Sequence, residues 1–233
     1  LHGSSAASDV YKRQGKRVSA EAQKEAASKL LEDVSSIEGV EGEVLTRTNG
    51  TQDRNIAHIT CQPSAWRDLA ETMKYDHLVD HCSMITGIHW PDSTESNWEL
   101  IYHFLRTGVL DPETTENGSS IIPNITDTKK LSGKTVPIEI QVNIAIPETR
   151  TPSIASVQDI WIGADWNEKE TWDLVGIDFK GHEGMRRVLN PHETPPGYHP
   201  LQKQHKLRYH GFEEMYDDAQ GFLRKAPDSG RVK

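Results

Sequence analysis

Residues 136–146 read VPIEIQVNIAI, and this run constrains the chain more than any other. Ile138, Ile140, Val142, Ile144 and Ile146 alternate with Glu139, Gln141 and Asn143. Successive side chains of a strand point to opposite faces, so the segment predicts one apolar and one polar face. Branched side chains at the apolar positions suit a pleated, half-buried surface. Such a strand needs partner strands, and its apolar face needs a cover.

The rest of the first 150 residues supplies both. Over residues 19–37, Ala22, Ala26, Leu30, Val34 and Ile37 share one face of an amphipathic helix, which Gly39 and Gly42 stop. Short strands are expected near residues 43–47 and 55–61. Pro63 and Ser64 open a second helix to about Lys74, with Trp66, Leu69, Ala70 and Met73 on one side. Residues 77–90 and 98–105 read as paired strands joined by the polar turn PDSTESN. Residues 108–133 are polar and turn-rich and read as a loop or insertion. The expected fold class is α+β: a mixed sheet with packed helices and an extended C-terminal arm. The expected divisions are a non-native or disordered N-terminus at 1–17, an α+β globular domain at 18–150, and a signature segment with a partner-binding arm at 151–233.

Composition narrows the function. The net charge is -9, which disfavours a phosphate-backbone partner. No apolar run reaches the roughly 18 residues of a membrane span, so membrane contact is expected only through partners. The two cysteines, Cys61 and Cys82, form no CxxC pair, and no glycine-rich phosphate loop is present. Flavin, iron–sulfur or nucleotide binding by this chain is therefore not expected. After Thr149 no further strand is convincing. From Asn190 onward the sequence is rich in charge and poor in apolar residues, as expected of an arm that orders on a partner.

Residues 164–189, ADWNEKETWDLVGIDFKGHEGMRRVL, carry the most information. Asp165 and Glu168 have capping-box spacing at the start of a helix. Gly176 ends that helix as a C′ glycine. Ile177 and Phe179 follow in an extended segment, Gly181 and His182 make a turn, and residues 185–189 are expected to form a short helical turn. The order Glu168-Lys169-Glu170, Asp173-Leu174, Gly176-Ile177, Phe179, Gly181-His182, Met185 and Arg186-Arg187-Val188-Leu189 resembles the signature of the respiratory complex I 30 kDa (C) subunit family. Pro152 to Ser156 with Ile160-Trp161, and Tyr198 to Lys203, resemble the flanking motifs. Lys169 stands where the family has Arg, Glu183 where it has Pro, and Gln202 and Gln204 where it has Arg and Asp.

The resemblance implies a non-catalytic, hydrophilic subunit of the peripheral arm of a proton-translocating NADH:quinone oxidoreductase. Such a subunit sits at the cytoplasmic face of the cell membrane, or on the matrix side of a mitochondrial inner membrane. It implies association with the quinone-site (D) subunit, with NADH, flavin, iron–sulfur clusters and quinone held by other subunits. A deazaflavin-dependent dehydrogenase or a membrane-bound hydrogenase is the alternative setting. Glu168, Glu170, Trp172, Asp173, Gly176, Phe179, Gly181, His182, Arg186 and Arg187 are expected at a partner interface. Catalysis by the acids Glu168, Glu170 and Asp173 is the sharper reading, and ion pairing with the two arginines the simpler one.

His192, His199, His205 and His210 could hold a metal in a freestanding hydrolase, but their spacing matches no ligand motif. His77 and His81 would share a strand face without chelating geometry. Trp66, Trp90 and Trp98 fall at core-like positions. Trp161, Trp166 and Trp172 are expected to form an interface anchor.

Overall fold

A computed structural model describes residues 19–49, 52–93, 97–108, 113–114, 120–121, 136–147 and 149–203. The expected N-terminal division and most of the 108–133 insertion lie outside the described residues, as does the arm from residue 204.

Helix α1 spans Ala20–Val34, with Ser19 accepting from the Ala22 N–H at 3.2 Å as its N-cap. Strands β1 (Val40–Asn49) and β2 (Gln52–Cys61) form a hairpin. Helix α2 (Trp66–Glu71) continues as a π-turn through Thr72–Asp76. Strands β3 (His81–His89) and β4 (Trp98–Arg106) pair antiparallel. The short ladder of β5 (Glu113–Thr114) and β6 (Ser120–Ile121) follows. Strand β7 is Ile138–Ile146, β8 is Ser153–Ala155, α3 is Ala164–Val175 and β9 is Asp178–Lys180.

The main sheet has the order β1-β2-β7-β4-β3. The alternating segment is its central strand, parallel to β2 and antiparallel to β4. The sheet is therefore mixed and the fold α+β, as the periodicity predicts. Ile138, Ile140, Val142, Ile144 and Ile146 are all buried. They meet Ala57, Ile59 and Cys61 of β2 on one side and Trp98 to Phe104 of β4 on the other. Helix α1 covers the β1–β2 end of this face and α3 covers β3. Gly87 lets α3 come close: a Cβ there would meet Thr171 Cγ2 at 2.8 Å. The apolar cluster is continuous across residue 150 and includes Ile154, Val157, Trp161, Val175, Ile177 and Phe179.

Several expectations are corrected. Residues 77–80 are not strand. The helical segment runs on to Asp76, Leu78 takes φ +56°, and the buried His77 lies 3.4 Å from Asp33 Oδ2. A strand after Thr149 does exist: β8 is too short to show periodicity, but it pairs in parallel with β9. Residues 185–189 form no helical turn, because their following amides are drawn to a carboxylate described below. Trp90 is half exposed, whereas Trp66 and Trp98 are core. Trp161 is core as well: it packs on Phe104 at 4.5 Å and donates to the Val79 carbonyl at 2.8 Å. It is not an interface anchor.

Candidate functional site

Helix α3 lies between the parallel strands β8 and β9 in sequence, and the signature residues hang on it. Gly163 is its N-cap and contributes no side-chain bond, so the expected capping box is absent. Asp165 instead pairs with Lys169, whose Nζ lies 2.8 Å from both carboxylate oxygens. Lysine thus reaches both oxygens where the family pattern places arginine, though without a planar fork.

Glu168 points inward and is fully buried. The Ser156 hydroxyl donates to Oε2 at 2.5 Å and the Val157 N–H to Oε1 at 2.8 Å. His182 Nε2 approaches Oε2 at 3.9 Å and Asp165 Oδ1 at 3.3 Å. Burial pushes the Glu168 carboxyl up to about 7, against the pull of its two hydrogen bonds, and the charges of Asp159 and Asp165 push the same way.

Asp173 is equally buried but differently provided for. Its Oδ1 accepts from Arg187 Nη1 at 2.7 Å and from Asn190 Nδ2 at 2.9 Å. Its Oδ2 accepts the backbone N–H groups of Val188, Leu189 and Asn190 at 3.0, 2.9 and 2.9 Å. Three successive amides converging on one oxygen cannot also make helical bonds, which explains the missing turn. Burial opposes ionisation here too. The Asn190 side chain, the Asn190 and Leu189 amides and Arg187 outweigh it and hold the carboxyl below the ordinary carboxylate range.

The segment after Arg187 is pinned to the same helix. Arg187 Nη2 donates to the Pro195 and Tyr198 carbonyls, and its guanidinium lies 5.6 Å from the Trp172 ring. His199 Nδ1 lies 3.1 Å from the Asp173 carbonyl. Gln202 Nε2 donates to the Val175 carbonyl at 2.8 Å and the Leu201 N–H to the Leu174 carbonyl at 2.9 Å. These bonds satisfy helix-end carbonyls that would otherwise be orphaned. Gly176 takes φ +88° here, and a Cβ would lie 2.6 Å from both His199 and Gln202. Residues 190–202 therefore fold back on the chain instead of departing as an arm. Ser156, Asn190, His199 and Gln202 carry much of this geometry. Ser156, His199 and Gln202 lie in the flanking motifs and Asn190 directly follows the signature, but the role of each is set by atoms brought close only by the fold.

The structure gathers Glu168, Asp173, His182 and Arg187 around α3. Phe179 is buried and Trp172 half-buried. Gly181 and Arg186 are exposed, and Glu170 is partly exposed. The Glu170 and Arg186 side chains make no hydrogen bond or ion pair among the described residues. His192 is exposed, and His205 and His210 lie outside the described residues. Among the described residues no cluster of three His, Cys, Asp or Glu side chains suits a metal. The thiols of Cys61 and Cys82 are buried, which pushes each up to about 12.

Beside the Glu168 cluster a cleft of about 590 Å³ opens, bordered by Arg67, Ser156, Gln158, Asp159, Asp165 and Glu183 among others. Arg67 is already spent there on Asp159, Glu71 and the Ser156 carbonyl. Around the site several apolar side chains face outward: Ile162 is 92% exposed, and Trp166, Leu189 and Leu201 are more than half exposed.

Residues 59–211 match the family described as respiratory-chain NADH dehydrogenase, 30 Kd subunit. The C subunit of an NADH-quinone oxidoreductase from Hydrogenovibrio crunogenus is 31% identical over 162 residues, covering 68% of this chain and 70% of that one. The C/D subunit of an NADH-quinone oxidoreductase from Gluconacetobacter diazotrophicus is 42% identical over 71 residues, covering 30% of this chain and 11% of that one. The chain spans less than half the length of several curated relatives that it matches. Among solved structures, a chain of the membrane-bound sulfane sulfur reductase, an archaeal respiratory membrane complex, shares the fold. Its TM-score is 0.53 at 18% identity, and the match covers 88% of this chain and 95% of that one. The signature around α3 and the family match over 59–211 together establish that the chain belongs to the respiratory-chain NADH dehydrogenase 30 kDa subunit family.

Proposed function

We propose that the chain is a non-catalytic subunit of the peripheral arm of a proton-translocating NADH:quinone oxidoreductase, where it scaffolds the quinone-site (D) subunit. The observation that carries this reading is how the signature charges are used. Asp173, Arg187, Glu168 and His182 are consumed inside the chain, while the apolar side chains around them face outward. Enclosed charges fix a shape, and exposed large apolar side chains seek a partner surface. The relative named as a C/D subunit supports the D subunit as that partner. NADH, flavin, iron–sulfur clusters and quinone belong to other subunits in this reading. No helix among the described residues is long and apolar enough to cross a membrane. In this reading attachment at the cytoplasmic face, or at the matrix side in a mitochondrion, runs through partners.

Affinity capture from the native membrane fraction through a tag on this chain tests the proposal. The quinone-site subunit and the other peripheral-arm subunits should co-purify, and Trp166→Ser with Ile162→Ser should reduce their recovery. A captured NADH-input module distinguishes this setting from a deazaflavin-dependent dehydrogenase or a membrane-bound hydrogenase. Recovery of the chain alone, or near-stoichiometric flavin, iron–sulfur cluster or zinc in it, would sink the scaffold reading.

A further inference from the structure

Leu78 stands in a backbone conformation that leucine rarely takes. Its φ is +56°, the only positive φ outside glycine among the described residues. The helix end explains the backbone. The π-turn closes at Asp76, the His77 N–H bonds to the Thr72 carbonyl at 3.3 Å, and the Val79 N–H reaches back to the Met73 carbonyl at 3.0 Å. Such a wrap needs a left-handed residue just after the helix, where glycine is the usual choice. The flanks are fixed as well. His77 and Val79 are buried, Arg106 donates to the His77 carbonyl at 3.2 Å, and Trp161 donates to the Val79 carbonyl at 2.8 Å.

The described residues do not explain the side chain. A Cβ at positive φ is strained against its own backbone, and packing in the core would offset that cost. Leu78 is instead 45% exposed between two buried neighbours. A lone exposed leucine is ordinary; one turned outward where the backbone favours glycine is not. It also lies close to the outward apolar group beside α3. Leu78 precedes Val79, Ile162 follows Trp161, and Val79 and Trp161 are bonded to each other. A Cβ on Gly163 would meet the Cys82 carbonyl at 3.0 Å, so residues 161–163 run along residues 79–82.

We propose that Leu78 is an anchor that enters an apolar pocket of the quinone-site subunit and extends the contact of Ile162 and Trp166; this rests on the reading of that subunit as the partner. The free chain carries the strain, and burial in the partner offsets it. Because the backbone around Leu78 is already fixed, docking orders little besides the side chain itself.

The test uses cells that make the wild-type chain and one variant in equal amount, with the complex recovered through a tag on its quinone-site subunit. Mass spectrometry reads the ratio of variant to wild type in the recovered complex. For Leu78→Asn, which suits positive φ, the ratio should fall to about one tenth, the scale of a leucine side chain denied its burial. Leu78→Met keeps an apolar side chain on the same backbone, and its ratio should stay within about twofold of one. The isolated Leu78→Asn chain should melt at the same temperature as wild type or higher, because the strain is relieved. An Asn ratio near one, a Met ratio as low as the Asn ratio, or a lowered melting temperature of the isolated Asn chain would each overturn the anchor. If wild type is recovered with the tagged subunit and any of these occurs, the scaffold reading stands and the anchor falls. Absence of the wild-type chain from the recovered complex overturns both.

Discussion

Glu168 and Asp173 occupy one helix, both fully enclosed, yet the fold treats them in opposite ways. Asp173 receives an arginine, an asparagine side chain and three backbone amides. Glu168 receives one hydroxyl, one amide and a histidine at 3.9 Å. Burial lifts both carboxyls, but only at Asp173 do the donors outweigh it. The difference lies in which backbone each one meets. Asp173 faces an irregular stretch whose amides have no other partner, whereas Glu168 faces the end of a strand and a turn. Enclosure alone therefore says little about whether a charge stabilises a fold; the number of donors decides.

Asp173→Asn gives the largest expected effect. It removes the charge while leaving Arg187 and three converging amides in place. The cost should be about 3–5 kcal/mol, as for a buried pair broken on one side, read by denaturant unfolding. Asp173 has a lowered folded value, so its contribution is present above the ordinary value of 3.8 and is lost as pH falls toward the folded one. Acid unfolding should begin in that range and disappear from the Asn variant. A loss under about 1 kcal/mol would mean that the donors are satisfied without the carboxylate.

Glu168 should show the reverse sign. Its folded value is raised from 4.5 to about 7, so stability is fully present below 4.5 and falls as pH rises to about 7. That rise corresponds to about 3 kcal/mol. Glu168→Gln should remove the slope: near-neutral in mild acid, and stabilising in mild alkali. If the variant is destabilised equally at all pH values, Glu168 is held by its hydrogen bonds more firmly than its burial implies.

Arg187→Ala comes next. Asp173 keeps its amides and Asn190, so the loss should be about 1.5–3 kcal/mol, the worth of a charge-assisted hydrogen bond. Because the pair lies within the chain at 2.7 Å, the isolated variant should itself melt lower. Normal melting with poor assembly would place the pair's energetic role across an interface.

Much of this was legible in advance because it follows from periodicity. The β7 pattern, the α1 stripe and the glycine after α3 are local signals, and the mixed sheet grows from them. The signature segment could be read as charged and its helix bounded. Whether Glu168 caps a helix or sits in a core could not be read, because the answer depends on Ser156 and Val157 from another element. The π-turn after α2 hid where β3 begins. The fold-back of residues 190–202 was also hidden, since His199 and Gln202 bond to backbone carbonyls of α3. Polar composition reads as an arm until a helix end appears that needs its carbonyls covered.

Glu170 and Arg186 sharpen the comparison from outside. They belong to the same signature as Glu168 and Asp173, but neither side chain makes a hydrogen bond or ion pair among the described residues. Arg186 is exposed, next to an Arg187 that is spent inside. If the signature has an inner and an outer half, Glu170→Ala and Arg186→Ala should each change the stability of the isolated chain by less than about 0.5 kcal/mol, as surface substitutions do. Their effect should appear in capture, where charges at an interface rim steer association and partner choice. Recovery of the partner subunits with the double variant should fall, and more so as salt is lowered, because salt already screens such charges. A stability loss above about 1 kcal/mol for either single variant would show that the residue works within the chain. In that case the signature has no outer half on this helix, and the apolar side chains at Ile162 and Trp166 must carry this side of the contact by themselves.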